Sequence, residues 1–272
     1  MKRFTYIILT LLLTLATACD PVSEDERLIY MKPAQVARNV LIEDFTGQRC
    51  VNCPAATWQI EQLQEQYGAD AVIAVGIHSG PLGFAGNKDN IGLMTDTGNE
   101  YYNRWSVEYQ PAGVIDRNGG VLAYTDWQAK VYEELQKPAP LSLIIAPKYD
   151  ALSRQLSIDV TAAGTDGSTN GNLQIWLIED GVKALQLRYN NVTDASSGQV
   201  ADREYVHNHV FRAAVNGTWG EAITLNEGDQ KTVSATCILQ EDWNPAQMSV
   251  VAFVYNDQGV AQCAIQKISD TQ

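Results

Sequence analysis

Residues 39–54 read Asn-Val-Leu-Ile-Glu-Asp-Phe-Thr-Gly-Gln-Arg-Cys-Val-Asn-Cys-Pro, and this stretch decides the predicted fold. Its first part, 39–45, is rich in branched and aromatic side chains, which favours a strand. A short loop follows, and then Pro54 suits the first turn of a helix because its missing N–H is not needed there. Cys50 and Cys53 are therefore expected where the strand gives way to the helix.

The segments beyond the cysteines continue this alternation. Residues 54–67 carry apolar side chains at helical spacing and end before Gly68. Residues 71–77 are nearly all apolar, which is typical of a strand buried on both faces. Strand, helix and strand in this order predict a βαβ unit. Three more elements are expected: a helix over 97–106, a hairpin turned at Asn118-Gly119-Gly120, and a helix over 126–137.

The pattern changes after Pro138 and Pro140, which break the helix and indicate a linker. The remaining chain has mostly strand-like periodicity with polar turns, which predicts a β-sandwich. The candidate strands are 141–145, 156–160, 173–178, 222–225, 231–238 and 248–255.

The N-terminus has the outline of a secretory signal. Lys2 and Arg3 precede an apolar run over 6–15 and three small residues, and Cys19 follows them. The run is shorter than the roughly 20 apolar residues that a membrane-spanning helix needs. Residues 15–19 resemble a bacterial lipobox, which implies a lipoprotein signal peptide over 1–18 and a palmitate-bearing Cys19. The alternative is ordinary signal cleavage that leaves Cys19 a free thiol.

Residues 19–37 are expected to form an acidic tether and a lead-in. The run 20–26 is acidic, contains Pro21 and is too polar to pack. It resembles the export signals of surface lipoproteins in Bacteroidetes, although a solvated spacer would look the same. The formal net charge of −13 argues against a nucleic-acid partner, since phosphate contacts need a basic patch.

The Cys-x-x-Cys pair predicts a dithiol that can exchange with disulfides. At a helix start, backbone N–H groups and the positive helix end would favour a thiolate at Cys50, and Arg49 adds a positive charge. Cys53 would then resolve the mixed disulfide. Two alternatives remain: a zinc site, which would need two further ligands, and an inert structural disulfide. No cofactor and no metal are expected.

The order of these elements resembles the thioredoxin fold. The resemblance implies a nucleophile at Cys50, a resolving thiol at Cys53 and a cis-proline at Pro111 opposite them. It also implies that Asp44 is a buried acid that assists proton transfer, although Asp44 could equally be a solvated strand residue. Thioredoxins usually carry Trp where this chain has Arg49, and the inner residues Val-Asn also differ, so the resemblance does not say whether the pair reduces or oxidises its partners.

A narrower resemblance rests on two distant segments, Glu43–Pro54 and Tyr205–Val210, the second followed by Arg212. Both are similar to the Omp28-related outer-membrane lipoproteins of Bacteroidetes. This resemblance implies an outer-membrane lipoprotein, periplasmic or exposed at the cell surface. The predicted fold class is an α/β thioredoxin-like domain over 38–137 followed by an all-β immunoglobulin-like sandwich over 138–272.

Several further residues attract attention. His207 and His209 alternate and could share one face of a strand, although structural roles are more common for such histidines and a third metal ligand is not evident. Cys237 and Cys263 are expected to form a structural disulfide, the alternative being two buried free thiols. The glycine-rich loop over 79–99 could line a site beside the dithiol or be a surface insertion.

These observations support two hypotheses. The first is a thiol–disulfide oxidoreductase or redox-active lipoprotein, with protein thiols or disulfides as partners. The second is a non-catalytic adhesion or receptor-type protein that binds a surface ligand. An accessible Cys50 would favour the first, whereas a buried disulfide with no groove beside Pro111 would favour the second.

Overall fold

The computed structural model describes residues 36–268. The predicted signal peptide, Cys19 and the acidic tether lie outside these residues. The described residues belong to one compact unit. Within the described residues there are fourteen strands, three α-helices and two short 3₁₀-helices. No helix among them is long and apolar enough to cross a membrane.

The first half of the chain alternates strands and helices, as the pattern predicts. Its elements are β1 (Val40–Thr46), α1 (Cys53–Tyr67), β2 (Val72–His78), α2 (Asp96–Arg104), β3 (Ala112–Ile115), β4 (Val121–Ala123), a 3₁₀-helix (Tyr124–Asp126) and α3 (Trp127–Leu135).

The second half consists of strands and one 3₁₀-helix (Pro245–Gln247). The strands are β5 (Leu141–Asp150), β6 (Gln155–Gly164), β7 (Ser168–Glu179), β8 (Val182–Asn191), β9 (Asp194–His207), β10 (Val210–Ala214), β11 (Glu221–Asn226), β12 (Gln230–Ile238), β13 (Met248–Asn256) and β14 (Gly259–Lys267).

One mixed sheet of nine strands runs through both halves of the chain. Its order is β14-β13-β7-β10-β2-β1-β3-β4, and β11 also pairs with β7. The halves meet where β10 pairs in parallel with β2, at Val210 and Gly76. There the Gly76 N–H donates to the carbonyl oxygen of His209 over 2.7 Å.

The predicted fold class is therefore wrong. The described chain is mostly β, and its strands do not divide into a thioredoxin-like α/β fold and an independent immunoglobulin-like sandwich. The physical reason is the long-range pairing of β10 with β2, which joins strands far apart in sequence. Local periodicity indicates that a segment is a strand, but it does not say which distant strand lies beside it.

Hydrophobic clusters fill both faces of the large sheet. Alternate residues of β1 and β2 point to opposite faces: Val40 and Ile42 pack with α1 and α3, whereas Leu41 and Phe45 pack with α2 and the central strands. A third cluster lies between strands of the large sheet and the three-stranded sheet β12-β6-β5.

A buried ion pair lies within the large sheet. The Nε of Arg117 donates to the Glu43 carboxylate over 2.7 Å, and both side chains are almost completely buried. The guanidinium also lies 4.2 Å from the ring centre of Tyr255 and 4.8 Å from that of Phe253. The aromatic rings therefore replace part of the hydration that the cation loses.

Strands β8 and β9 form a separate two-stranded hairpin, which we call the arm (residues 182–207). It leaves the large sheet after β7 and returns to it at β10. Two hydrogen bonds join its ends: Gly181 N–H donates to Asn208 Oδ1 over 3.0 Å, and His209 N–H donates to Asp180 Oδ1 over 2.7 Å. The base of the arm covers the loop that carries the two cysteines.

Candidate disulfide site

Cys50 and Cys53 are joined by a disulfide in the turn before α1, with their Cα atoms 5.4 Å apart. Cys53 is the first residue of that helix. The Cys50 N–H donates to the carbonyl oxygen of Gly47, which closes the turn between β1 and the helix. The side chain of Cys50 is 2% exposed and that of Cys53 is 1% exposed, so both sulfurs lie below the surface.

The peptide bond between Gln110 and Pro111 is cis. Pro111 directly precedes Ala112, whose partner across the sheet is Phe45 near the end of β1. The Gln110 amide donates to the carbonyl oxygens of Thr46 and Ser79, at 2.7 and 3.0 Å. The proline is thus fixed at the end of the strand from which the disulfide turn begins.

The arm covers this turn through the side chain of Gln186. Its amide nitrogen donates to the carbonyl oxygen of Cys50 over 2.9 Å and to that of Gly47 over 3.3 Å. In addition, the Leu187 N–H donates to the carbonyl oxygen of Gln48 over 2.9 Å. The arm therefore satisfies three backbone carbonyls of the disulfide turn.

Gln48 ties the same turn to two other segments. It is completely buried. Its amide nitrogen donates to the carbonyl oxygens of Ile91 and Leu185, both at 3.0 Å, and its amide oxygen accepts from the Leu93 N–H at 2.9 Å. One side chain thereby connects the disulfide turn to the arm and to the loop over 79–99.

The loop over 79–99 packs on the disulfide turn as well. The Arg49 N–H donates to the carbonyl oxygen of Leu82 over 3.0 Å, and the Arg49 guanidinium lies 4.9 Å from the ring centre of Phe84. A Cβ on Gly47 would lie 2.3 Å from the Leu82 carbonyl oxygen, so only glycine permits this approach. The loop therefore lies beside the disulfide turn, which is one of the two interpretations that the sequence left open; the other was a surface insertion.

Asp44 lies on the face of β1 that packs under α1, and its carboxyl group is buried. Burial raises its pKa from 3.8 to about 8, because no compensating charge or hydrogen bond offsets the loss of water. Its Oδ1 atom has no hydrogen-bond partner in the protein. Asp44 is therefore a buried acid, as the resemblance implied, and not a solvated strand residue.

Asp44 and Cys53 line a common cavity of about 20 Å³, enough for roughly one water molecule. The register of β1 and β2 explains the cavity: Asp44 faces Gly76, which has no side chain, and Thr46 faces His78. The arm closes the cavity from above with Gln186, Tyr205 and His207.

Two neutral histidines line this cavity. His78 belongs to β2 and His207 to the end of the arm, and both are buried. Burial lowers the pKa of His207 to about 4, and burial together with the nearby His207 and Arg212 lowers the pKa of His78 well below 6.5. His78 Nδ1 and His207 Nε2 have no hydrogen-bond partner in the protein.

The structure separates His207 from His209. His209 lies in a left-handed turn after the arm, with φ of 57°, and its Nδ1 is 3.2 Å from the Asp180 carboxylate. The two histidines therefore contact different partners. In the part of the chain that the structure describes, no three His, Cys, Asp or Glu side chains are arranged to hold a metal ion.

The expected disulfide between Cys237 and Cys263 does not form, and both cysteines are free. Cys237 lies half-buried on β12 in the three-stranded sheet, where it packs against the cluster between the two sheets. Cys263 lies on β14 in the large sheet and belongs to a different cluster. The expectation is wrong because the two thiols pack in different clusters, Cys237 against the one between the two sheets and Cys263 in the one that contains α2 and the central strands.

Sequence reasoning missed Gln48 and Gln186, which hold the site closed. Gln48 lies beside the cysteine motif, but a polar residue in a loop gives no sign that it is buried. Gln186 lies in a strand that the periodicity did not reveal. The stretch 205–210, which the family resemblance singled out, does reach the site through Tyr205 and His207.

The described chain is thus a mixed-sheet protein with a shielded disulfide beside a buried acid. The family model described as "Outer membrane protein Omp28" matches residues 98–272. The chain belongs to this family, and its predicted outer-membrane location is confirmed. The match includes the arm and begins after the cysteine motif.

Two solved structures share the fold at low sequence identity. HBP35 of Porphyromonas gingivalis has a TM-score of 0.63 and 14% identity, covering 87% of this chain and 77% of its own. A structural-genomics protein of Agrobacterium tumefaciens has a TM-score of 0.51 and 16% identity, covering 88% and 98%. A domain of the outer membrane lipoprotein Omp28 from P. gingivalis has a TM-score of 0.35 and 22% identity, covering 49% and 92%. No curated protein matches the chain.

Proposed function

We propose that this outer membrane protein carries out reversible thiol–disulfide exchange at Cys50 and Cys53. The observation that carries the proposal is the Asp44 carboxyl, which is buried without a partner at its Oδ1 in the cavity that Cys53 lines. Burying such a group is costly, and a disulfide that only staples the chain does not need one. Strongly perturbed acids in such positions are typical of functional sites.

The two cysteines, Asp44 and two external thiols account for every bond and proton in the exchange. An external thiolate attacks the Cys50 sulfur, the bond to Cys53 breaks, and Cys53 leaves as a thiolate that takes the proton of the Asp44 carboxyl. A second external thiolate then attacks the external sulfur of the mixed disulfide and releases Cys50. The external thiols are oxidised to a disulfide, and the protein pair gains two electrons.

The burial of both sulfurs adds a condition to this chemistry. An attacking sulfur must reach Cys50 in line with the disulfide, and the arm and the loop over 79–99 shield it. We propose that the arm moves away from the disulfide turn before exchange. The arm is held closed by hydrogen bonds centred on Gln186 and Gln48 and by a small apolar cluster in which Val182 and Ala184 pack against Leu93, contacts that can break and form again.

The decisive experiment is the reduction potential of the Cys50–Cys53 pair. The mature chain is equilibrated in glutathione buffers, quenched, tagged with a maleimide and weighed, with Cys53→Ser as the control that lacks the pair. We expect a potential of roughly −120 to −270 mV, the range of exchange proteins. A value below about −300 mV would identify a structural bond and reject the proposal.

A second function, a non-catalytic surface binding protein, is favoured by one observation. The disulfide is almost fully buried, and its turn is fixed by the arm and the loop, as expected if the bond only rigidifies a binding surface. The same titration separates the two functions, because the binding protein requires a potential outside the exchange range.

We further propose that Cys19 carries the lipid that anchors the chain to the outer membrane. The support is the lipobox-like run over 15–19 together with membership of an outer membrane family. Metabolic labelling with a palmitate analogue should tag the wild-type chain and not Cys19→Ser. Equal labelling of both would reject the anchor.

A further inference from the structure

Strand β2 has one residue whose backbone groups lack a partner on the edge that faces away from β1. The Gly76 N–H points to this edge, because it donates to the carbonyl oxygen of His209 over 2.7 Å. The backbone groups of a strand alternate between its two edges, so Ala74 presents its N–H and C=O on the same edge as Gly76. No hydrogen bond between the described residues uses either group of Ala74.

The residues on either side of Ala74 on this edge do have partners. The Val72 N–H donates to the carbonyl oxygen of Gly68, and the Val72 carbonyl oxygen accepts from the Gln64 amide, both over 3.0 Å. At Gly76 the edge is occupied by β10. Ala74 is only 1% exposed, and a buried backbone group without a partner is costly. We call the edge of β2 at Ala74, between Val72 and Gly76, the open edge.

The turn at His209 explains why β10 does not cover the open edge. Strand β10 begins at Val210, and an extended chain before it would run alongside Ala74. His209 instead has φ of 57°, which is uncommon for a residue other than glycine. Asp180 fixes this turn, since its carboxylate accepts from the His209 N–H over 2.7 Å and lies 3.2 Å from the imidazole Nδ1. The chain before β10 therefore leads to the arm and leaves the open edge uncovered.

The open edge lines a cavity of about 450 Å³, a volume within the range of small-ligand sites. Its apolar part comes from Ile73 and Ile265, which pack in or against the cluster that contains α2 and the central strands. Its polar part consists of Gln64, Asp70, Asp180, His209, Gln266 and Lys267. A few polar groups around an apolar surface are typical of a binding site.

We propose that the open edge binds an extended peptide segment of another protein, which adds a short strand to β2 at Ala74. A carbonyl oxygen of the peptide accepts from the Ala74 N–H, and a peptide N–H donates to the Ala74 carbonyl oxygen. Strand addition of this kind is a recurring mode of peptide recognition, in which main-chain hydrogen bonds supply the affinity. The inference goes beyond the exchange function and does not depend on it.

The charges around the cavity favour a neutral main chain as the ligand. Burial alone would raise the pKa of the Asp180 carboxyl, but the hydrogen bonds and charge of His209 and the charge of Lys267 outweigh burial and lower it. Asp70 adds an exposed carboxylate at the rim. Neither sign therefore dominates, and a strongly charged ligand gains little. A peptide supplies both groups that Ala74 lacks, and one of its apolar side chains can pack on Ile73.

Amide hydrogen exchange in the ¹⁵N-labelled, oxidised mature chain, followed by NMR, tests the open edge. The Ala74 amide should exchange about tenfold or more faster than those of Ile73 and Val75, which point toward β1. The probe is an acetylated and amidated pentapeptide, Thr-Val-Thr-Val-Thr. At saturation it should slow the Ala74 amide by about tenfold or more and leave the amides of Ile73 and Val75 unchanged.

A matched peptide and a pair of variants serve as controls. The same peptide with every backbone nitrogen methylated keeps its side chains but has no N–H to donate, so it should bind about tenfold more weakly or worse. Ala69 is exposed at the cavity rim, and Ala69→Trp should narrow the cavity and weaken binding of the unmethylated peptide to a similar extent. Ala195→Trp adds the same ring to an exposed position on the arm and should bind like the wild type. If Ala69→Trp does not fold, Gln266→Trp, exposed on β14 at the same cavity, replaces it.

Three results would each overturn the proposal. The first is a peptide that does not protect the Ala74 amide, and the second is equal binding of the methylated and unmethylated peptides. The third is an Ala74 amide that exchanges as slowly as those of Ile73 and Val75 in the protein alone, because the edge would then be paired already within the chain or with a second copy. The measurement involves no redox reaction, so its outcome is independent of the reduction potential of the cysteine pair.

Discussion

The imidazole of His207 lies edge-to-face against that of His78, with ring centres 5.1 Å apart. One ring belongs to the arm and the other to β2 in the centre of the large sheet. Both rings are buried, and burial lowers the pKa of each imidazole. Because only one of the two rings belongs to the arm, their contact depends on the arm being closed. Any event that lifts the arm hydrates both histidines and Asp44 at once, so access to the disulfide and the electrostatics beside it change together.

The stability of the chain should depend on pH through Asp44. Folding raises the pKa of this carboxyl from 3.8 to about 8, so the folded chain holds a proton that the unfolded chain releases between these values. Stability from this group is therefore full below about pH 4 and falls as pH rises toward 8, by at most about 1.4 kcal/mol per pH unit.

Urea unfolding of the oxidised chain at pH 4.5 to 8.5 measures this dependence. The variant Asp44→Asn keeps the shape of the side chain without the ionisation, and its free energy of unfolding should fall less over the same interval. Parallel curves for the two proteins would show that Asp44 is not an acid with a raised pKa.

Removing the Gln186 side chain should make the disulfide easier to reduce. In Gln186→Ala the carbonyl oxygens of Cys50 and Gly47 lose a buried donor, which costs about 1–3 kcal/mol. If arm opening limits access, reduction by dithiothreitol should accelerate by roughly tenfold for each 1.4 kcal/mol. Gln199→Ala, an exposed glutamine on the same arm, should react at the wild-type rate, and equal rates for all three proteins would rule out shielding by the arm.

The two remaining cysteines of the described chain should behave as free thiols of different reactivity. Cys263 is completely buried and Cys237 half-buried, and burial raises the pKa of both thiols. A maleimide should label Cys237 slowly in the native protein and Cys263 only after unfolding. Peptide mapping without reductant gives the assignment, and a linked peptide containing both cysteines would contradict the structure.

The ion pair in the large sheet should matter far more than one at the surface. Glu43→Gln leaves the buried Arg117 charge without its carboxylate, and we expect a loss of about 3–5 kcal/mol in the free energy of unfolding. Glu204→Gln breaks the exposed pair with Lys183 and should cost less than about 1 kcal/mol. The free energy of unfolding of both variants is measured in guanidinium chloride at pH 7. Losses of similar size would mean that the buried pair stabilises the fold no more than the exposed pair does.

Local pattern predicted the first half of the chain closely. The branched run before the cysteines became β1, the all-apolar run became β2, and the helix between them begins one residue earlier than expected. These elements pack mainly on one another within a short stretch of chain. The spacing of their apolar residues therefore indicates which side of each element is buried. The same holds for the six strands predicted after Pro138, although all six are longer in the structure.

The list of predicted strands omitted β8, β9, β10 and β14, although 207–209 was considered strand-like, and the first three explain the error in fold class. The arm strands β8 and β9 pair only with each other, so much of β9 stays exposed and polar and shows no apolar alternation. Strand β10 is short, and its position beside β2 follows from a register that no local window contains. The candidate site was half predicted for this reason: the cysteines and Asp44 were visible, whereas the cover from the arm was not.

The root of the arm has a consequence for how this chain can vary. Asp180 and His209 meet in a hydrogen bond, as do Gly181 and Asn208, so the segment between them begins and ends at almost the same point. Such a segment can lengthen, shorten or change sequence without disturbing the pairing of β7 with β10, since loop length costs little once the ends are fixed. The sheet therefore determines where the arm is attached but not how long it is, and insertions or deletions in the arm would disturb the sheet least.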